Sequence, residues 1–246
     1  MNKVAVVTAA SKGIGAATAL AFGKAGYDVV VNYNSSADAA NEIVAQIEKL
    51  GQKAIAVQAD MFTEAGIHTL FDGIKAAFHG IDVFVNNAAY TDEPKFGGYT
   101  YEHVSKSLGA NIGSAVLCTQ EAAKMMEKGS ILFTSSIYGL QFGGSPGMPL
   151  YSAGKAAMIN FAQAMAEKLA PNIRCNVVAP GSTRTPHWDH VAEEHKQVSL
   201  GMTLQKEWVE PEEIAAAFVF LAETPHITGQ TITIDAGWQK KIRPQR

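Results

Sequence analysis

A tyrosine and a lysine four residues apart, Tyr151 and Lys155, open the apolar run Tyr151-Ser-Ala-Gly-Lys155-Ala-Ala-Met-Ile-Asn-Phe, and Ser135-Ser136 ends a strand-like run just upstream. Residues at i and i+4 share one face of a helix, so the phenol and the ammonium would point into the same space. An unperturbed tyrosine ionises near pH ~10, and a neighbouring cation favours the phenolate, each tenfold gain in its ionisation being worth ~1.4 kcal/mol. A phenol tuned in this way can give a proton to a carbonyl oxygen or take one from an alcohol. With 7 tyrosines in the chain, so short a spacing proves little alone. The surrounding elements have to supply the specificity.

At 246 residues, 47% hydrophobic and 17% charged, the chain is long enough for one large α/β domain with a sizeable core. Short β-branched runs (Val4–Thr8, Val29–Asn32, Ala54–Gln58, Val83–Val85, Ile131–Ser135, Arg174–Val178, Thr231–Ile234) read as strands. Between them Ile14–Lys24, Ala37–Leu50, Glu64–Phe78, Tyr101–Met126, Ser152–Ala170 and Pro211–Ala222 read as helices. Strands apolar on both faces and separated by helices predict a parallel sheet covered on both sides, in a single doubly wound Rossmann-type domain spanning residues 1–246. Two segments are long for strand–helix connections, Thr91–Gly98 and residues 181–204, and such loops usually carry function or mobility.

The first strand runs into Thr8-Ala-Ala10-Ser11-Lys12-Gly13-Ile14-Gly15 and then directly into a helix. Glycines allow tight turning and close backbone approach, and the helix start offers unpaired N–H groups to a pyrophosphate. On this loop and the landmarks that follow it, the chain resembles the short-chain dehydrogenase/reductase family. Those landmarks are Asp60 after strand three, Asn86-Asn87-Ala88-Ala89 after strand four, Asn111, Ser136, Tyr151-x-x-x-Lys155 and Pro180-Gly181-Ser-Thr183-Arg-Thr185. The closing run Ile227–Gly237 also looks like the family's last strand. Ala9 stands where the family usually has a glycine, so a left-handed backbone there would strain the loop.

The resemblance implies a seven-stranded parallel sheet and a nicotinamide dinucleotide contacted by Thr8, Ala10–Gly15, Tyr33, Asn34, Ser35, Asp60, Met61, Asn87, Ala88, Ala89, Tyr151, Lys155, Pro180, Gly181, Thr183 and Thr185. It implies Tyr151 as general acid and base, Lys155 holding the nicotinamide ribose and depressing the Tyr151 pKa, and Ser136 bonding the reacting oxygen. Asn111 would hold a water that links Lys155 to solvent. Ser136 is preferred to Ser135 because it begins the family's Ser-x-x-Gly pattern. No acid follows strand two, where one would bind a ribose diol and repel a 2′-phosphate, and Lys12 stands in the glycine loop, so NADP(H) is favoured over NAD(H).

The substrate is left open. The overall pattern is nearest to the 3-oxoacyl-carrier-protein reductase branch, yet Lys124 and Lys128 are the only cations where that branch presents arginines to its acidic carrier. A small ketone, sugar or polyol is the alternative, and a non-catalytic dinucleotide-binding regulator is the reading from another class. Fifteen residues separate Ser136 from Tyr151, two more than is common in the family, within Leu140–Leu150. This insertion reads equally as a substrate-tuning segment or as a loop extension. Tyr138 and Trp188 read either as pocket aromatics or as ordinary packing.

Net charge is −3, which gives no footprint for nucleic acid or an anionic membrane. The one basic cluster, Lys240 to Arg246, reads as a solvated tail. Cys118 and Cys175 lack partners at metal-ligand spacing, and so do His187, His190 and His195, so no metal site and no disulfide are expected. With no signal-like leader and no apolar run of ~18 residues, the expected location is the cytoplasm. The family resemblance adds a homotetramer or homodimer.

Overall fold

The computed structural model describes residues 2–238, and the basic Lys240–Arg246 cluster lies outside them. Seven strands form one sheet: β1 (Val4–Val7), β2 (Asp28–Tyr33), β3 (Ala54–Gln58), β4 (Val83–Asn86), β5 (Gly129–Thr134), β6 (Ile173–Pro180) and β7 (Thr231–Ile234). Their order is β3-β2-β1-β4-β5-β6-β7 and every pairing is parallel. The expected seven-stranded, doubly wound Rossmann-type sheet is therefore present. Strand order reverses between β1 and β4, and the crevice beyond the carboxyl ends of these strands is where such sheets bind ligands.

The all-apolar strands follow from burial on both faces. In β1, Val4 and Val6 join one core cluster while Ala5 and Val7 join the other, the period-2 alternation of a strand. Helices α3 (Glu64–Ala77), α5 (Ser114–Lys124) and α6 (Pro149–Lys168) cover the first face through Leu70, Cys118 and Met158. On the second face α1 (Gly13–Lys24), α2 (Ala37–Lys49) and α8 (Pro211–Glu223) pack through Phe22, Ile47 and Phe218. Cys118 and Cys175 are buried free thiols whose ionisation burial pushes up to about 12.

Two expectations change. The helix read as Tyr101–Met126 is α4 (Tyr101–Leu108) and α5 joined by a π-turn, Gly109–Gly113, which carries Asn111. The segment 181–204, read as a loop, contains a 3₁₀ turn at Pro186–His190 and α7 (Glu193–Gly201), a helix with no buried residue and hence no apolar stripe to betray it.

Arg174 adds a tie that fixes α8. Its guanidinium donates to the carbonyls of Leu221 at 2.6 Å, Ala222 at 2.6 Å and Ile227 at 3.1 Å, satisfying the carbonyl end of that helix.

Candidate active site

The phosphate end is built where β1 meets α1. Helix α1 has no side-chain cap and no acid in its first turn, so its N-terminal dipole and amides favour an anion. Gly13 has φ +56°, and a Cβ there would lie 3.2 Å from Thr185 Cγ2, so this loop abuts the segment after β6. At Gly15 a Cβ would lie 2.3 Å from the Ala9 carbonyl oxygen, a contact only glycine avoids. Both features suit a bound diphosphate. Thr8 plays another part: its buried hydroxyl donates to Val85 O at 3.2 Å and accepts from Asn87 N at 2.8 Å and Ala88 N at 3.0 Å, bracing β1 against β4.

Ala9 adopts φ +51°, the left-handed conformation that its Cβ disfavours by ~1–2 kcal/mol. It is held there by Asn32, whose Oδ1 accepts from Ala9 N at 3.0 Å and whose backbone oxygen accepts from Ala10 N at 2.7 Å. Ala9→Gly is expected to stabilise the fold by about 0.5–1 kcal/mol, the relieved strain exceeding the extra chain entropy of glycine. Thermal melting should show a rise of about 1–4 °C, and a lower midpoint would contradict the strain.

At the adenosine end, Asn34 and Ser35 are exposed, Tyr33 is half-buried against the second core, and Ser11 is half-buried in the loop. Asp60 spends Oδ1 on the Phe62 amide at 2.9 Å, closing its own turn. Met61 is buried in the first core, so its side chain is unavailable and only its backbone could meet an adenine. Ala10 and Ala88 are buried too. No acid stands between Tyr33 and Ser36, and exposed Lys12 makes no ion pair among the described residues. This end fits a phosphate-bearing ribose at least as well as a diol.

A cavity of about 270 Å³ brings the phosphate loop together with Ser136, Tyr151 and Lys155. Ile14, Ala89, Thr183 and Thr185 line it toward the phosphate loop, Pro180 and Gly181 line the floor, and Ser136, Tyr151 and Lys155 line the far end. Lys155 is buried, its Nζ donating to Thr134 O at 2.6 Å and lying 5.6 Å from the centroid of the Tyr151 ring. A relay of bonds then runs back to the loop. Thr134 Oγ1 donates to Asn87 Oδ1 at 3.1 Å, and Asn87 Nδ2 donates to Thr8 O at 3.0 Å. The two serines divide their tasks: Ser135 Oγ donates to Lys155 O at 2.8 Å, whereas Ser136 Oγ accepts from Tyr138 N at 3.1 Å and keeps its proton for the Tyr151 side.

The electrostatics reverse the expectation. Burial pushes Tyr151 up to about 12, with the Ser136 hydrogen bond pulling it back and Tyr138 adding to the rise. Burial alone lowers Lys155 to about 7. Desolvation disfavours both charged forms and outweighs any attraction of cation for phenolate. Tyr151 is thus a neutral, protonated phenol at neutral pH.

Asn111 is fully buried in the π-turn and its amide is committed. Nδ2 donates to Tyr90 O at 2.8 Å and back to Ser107 O at 3.0 Å, while Oδ1 accepts from Tyr90 N at 3.1 Å. Both amide hydrogens are spent, so a relay water would have to use Oδ1 or the backbone. One residue beside the site has only a faint signal in the sequence. Glu93, in the oversized loop after β4, accepts from the backbone N–H of Tyr151 at 2.9 Å. A carboxylate within a long, otherwise unexplained connection was the only hint of it.

A parallel doubly wound sheet with an anion-ready loop at its switch point and a phenol–amine pair in the same crevice defines an oxidoreductase dependent on a nicotinamide dinucleotide. Residues 8–239 match a family model described as enoyl-(acyl carrier protein) reductase. The chain is 38% identical over 242 residues to a 3-oxoacyl-[acyl-carrier-protein] reductase of Synechocystis sp., covering 96% of each protein. It is 34% identical over 245 residues to glucose 1-dehydrogenase 2 of Bacillus subtilis, covering 96% of this chain and 94% of that one. Among solved structures, a short chain dehydrogenase from Burkholderia cenocepacia in complex with NADP superposes with a TM-score of 0.89 at 34% identity, over 96% of this chain and 98% of that one. The chain belongs to the short-chain dehydrogenase/reductase family.

Proposed function

We propose that the protein is a single-domain, NADP(H)-dependent reductase of a small uncharged ketone, also able to oxidise the secondary alcohol. The observation that carries this is the common cavity of Ser136, Tyr151 and Lys155 at the end of the phosphate loop. When bound, the nicotinamide supplies the hydride to the carbonyl carbon. Tyr151 gives its proton to the carbonyl oxygen, and its raised pKa keeps that proton in place beforehand. Ser136 donates a hydrogen bond to the same oxygen and so orients it. Lys155 would hold the ribose hydroxyls, and Asn111 would hold, through its Oδ1 or its backbone, a water that links Lys155 to solvent. Thr8, Asn87 and Asn32 brace the loop that would take the diphosphate, with Gly13, Ile14, Gly15, Thr183 and Thr185 around it.

The substrate side supports an uncharged molecule. Among the described residues, Lys155, Tyr151 and Tyr138 are the ionisable groups lining the cavity, and Thr91, Met148 and Trp188 line it as well. Tyr138 stands edge-on to Tyr151 at 6.5 Å and to Trp238 at 5.7 Å, so it is packed as well as facing the pocket. Met148 and Trp188 give the wall apolar surface, and a small ketone bonded by Ser136 and Tyr151 needs fewer further partners there than a polyol does. The glucose 1-dehydrogenase relative keeps a sugar as the second reading. A carrier protein is the weaker candidate: Lys124 is paired with Glu121 at 2.6 Å and Arg174 is spent on α8. The segment 181–204 closes the substrate side in this reading. A cytoplasmic homodimer or homotetramer is the assembly proposed on the resemblance.

Two measurements test these choices. Fluorescence titration is expected to show NADPH bound at least ~10-fold more tightly than NADH, a single charge-assisted phosphate contact being strong enough for that; a preference for NADH would reverse the cofactor assignment. NADPH oxidation with ethyl acetoacetate, 2,3-butanedione, an aryl ketone, glucose and an acetoacetyl thioester should favour the small uncharged ketones. Turnover confined to glucose would move the assignment to the sugar reading.

A further inference from the structure

We infer that Glu93 is a positioning residue for the proton donor, acting as a remote cap on the helix that carries Tyr151 and Lys155. Helix α6 starts badly by its own sequence: Met148 at its N-cap provides no side-chain hydrogen bond, and Pro149 follows at the first position. Helix starts usually recruit a Ser, Thr, Asp or Asn to satisfy their first amides. Here the acceptor comes from 58 residues earlier in the chain. Glu93 Oε2 accepts from the Tyr151 N–H at 2.9 Å, so the carboxylate grips the very residue whose phenol faces the cavity.

The grip is itself anchored. Tyr99 Oη donates to Glu93 Oε1 at 3.3 Å, so both carboxylate oxygens are engaged and the side chain is held from the far end of its own loop. Burial, reinforced by the Glu93 charge, pushes the Tyr99 pKa up, which keeps that donor protonated. Two residues before Glu93, Thr91 lines the cavity, and the preceding Tyr90 is fastened through its backbone to Asn111. The 90–99 segment is therefore tied to the π-turn through Tyr90 and to the first turn of α6 through Glu93. A second local bond completes the clamp: Ser152 Oγ accepts from Ser145 N at 3.0 Å and donates to Met148 O at 2.7 Å, fixing the two-residue-longer approach to Tyr151. Helix α6 is thus oriented by contacts on its first turn, and the Tyr151 phenol inherits that orientation. Displacement of a reacting group by about 1 Å can cost ~100-fold in rate.

The inference rests on Tyr151 being the proton donor, and its test separates the two. Glu93→Ala, Glu93→Gln and Tyr151→Phe are compared with the parent in NADPH oxidation by ethyl acetoacetate, with active-site concentration fixed by NADPH titration. Glu93→Ala is expected to lower kcat about 10-fold or more while KM changes less than about 3-fold, and Glu93→Gln, which keeps an acceptor oxygen, should recover at least half of the parent kcat. Hydrogen exchange gives a readout that needs no substrate: the Tyr151 amide should exchange at least about 10-fold faster in Glu93→Ala and near the parent rate in Glu93→Gln. Unchanged kcat in Glu93→Ala, a loss confined to KM, an equal loss in Glu93→Gln, or unaltered amide protection would each overturn the positioning role. Unchanged turnover in Tyr151→Phe would instead remove the mechanism beneath it. If Glu93→Ala does not fold, Tyr99→Phe, which frees one carboxylate oxygen, should show a smaller loss of kcat of the same kind; a parent-like kcat and exchange rate in that variant would overturn the inference.

Discussion

Tyr151→Phe should retain NADPH binding and lose at least ~100-fold in turnover, the scale of a typical acid–base contribution. The substitution removes one hydroxyl and keeps the ring, so the edge-on contact with Tyr138 at 6.5 Å and the position of Lys155 5.6 Å from the ring centroid survive. Binding should survive because the loop at Gly13–Gly15 is braced by Thr8, Asn87 and Asn32, none of which touches the phenol. Chemistry should fail because, among the described residues, no other acid lining the cavity is placed to replace the phenol. Ser136 is a neutral donor whose proton is far less available, and Lys155, although lowered to about 7 and so the stronger acid, directs its N–H to Thr134 O. NADPH fluorescence gives the binding side and single-turnover NADPH oxidation the chemical side. A parent-like rate would hand the proton to another group, and loss of binding would mean that the phenol shapes the cofactor site.

What the chain reveals before folding depends on how local the cause is. The seven strands were legible because a parallel sheet buried on both faces needs continuous apolar residues, and Val4–Val7 or Val29–Val31 supply them without interruption. The phosphate loop was legible because its demands are local: a turn, a glycine against a carbonyl and a helix start within eight residues. Even the strain at Ala9 could be anticipated, since one Cβ and one backbone angle decide it. The π-turn at Asn111 could not, because the Tyr101–Met126 composition is helical throughout and the change of register answers to Tyr90, 21 residues away. Helix α7 escaped for the opposite reason, having no buried face to impose a period. Glu93 and the electrostatics of Tyr151 and Lys155 are tertiary quantities. Spacing says that two groups share a face, whereas only packing says whether that face is wet enough to hold their charges.

Burial of the lysine carries the other large expected effect, on stability and activity at once. Lys155→Met should abolish turnover, at least ~100-fold, yet make the ligand-free protein more stable at neutral pH. The lysine pKa falls from 10.5 to about 7 through burial alone, so between those values the unfolded chain holds a proton that the folded protein has released. Stability must then rise with pH across that window, and the penalty is complete below pH about 7. At pH 7 its ceiling is about 4 kcal/mol, each pH unit of the window costing ~1.4 kcal/mol. Removing the amine also strips the donor from Thr134 O, a loss of about 1–3 kcal/mol. The net gain at pH 7 should be about 1–3 kcal/mol, or roughly 2–12 °C in the melting midpoint. Tyr151 and the two cysteines also titrate at alkaline pH, but their contributions cancel in the difference between parent and variant. That difference, measured by thermal melting from pH 7 to 9.5, should be largest at pH 7 and shrink as pH rises. A variant less stable than the parent by a pH-independent amount would show that the ammonium is well solvated or paired in the folded state. Saturating NADPH should reverse the order, because a ligand that Lys155 helps to hold stabilises the parent more than the variant.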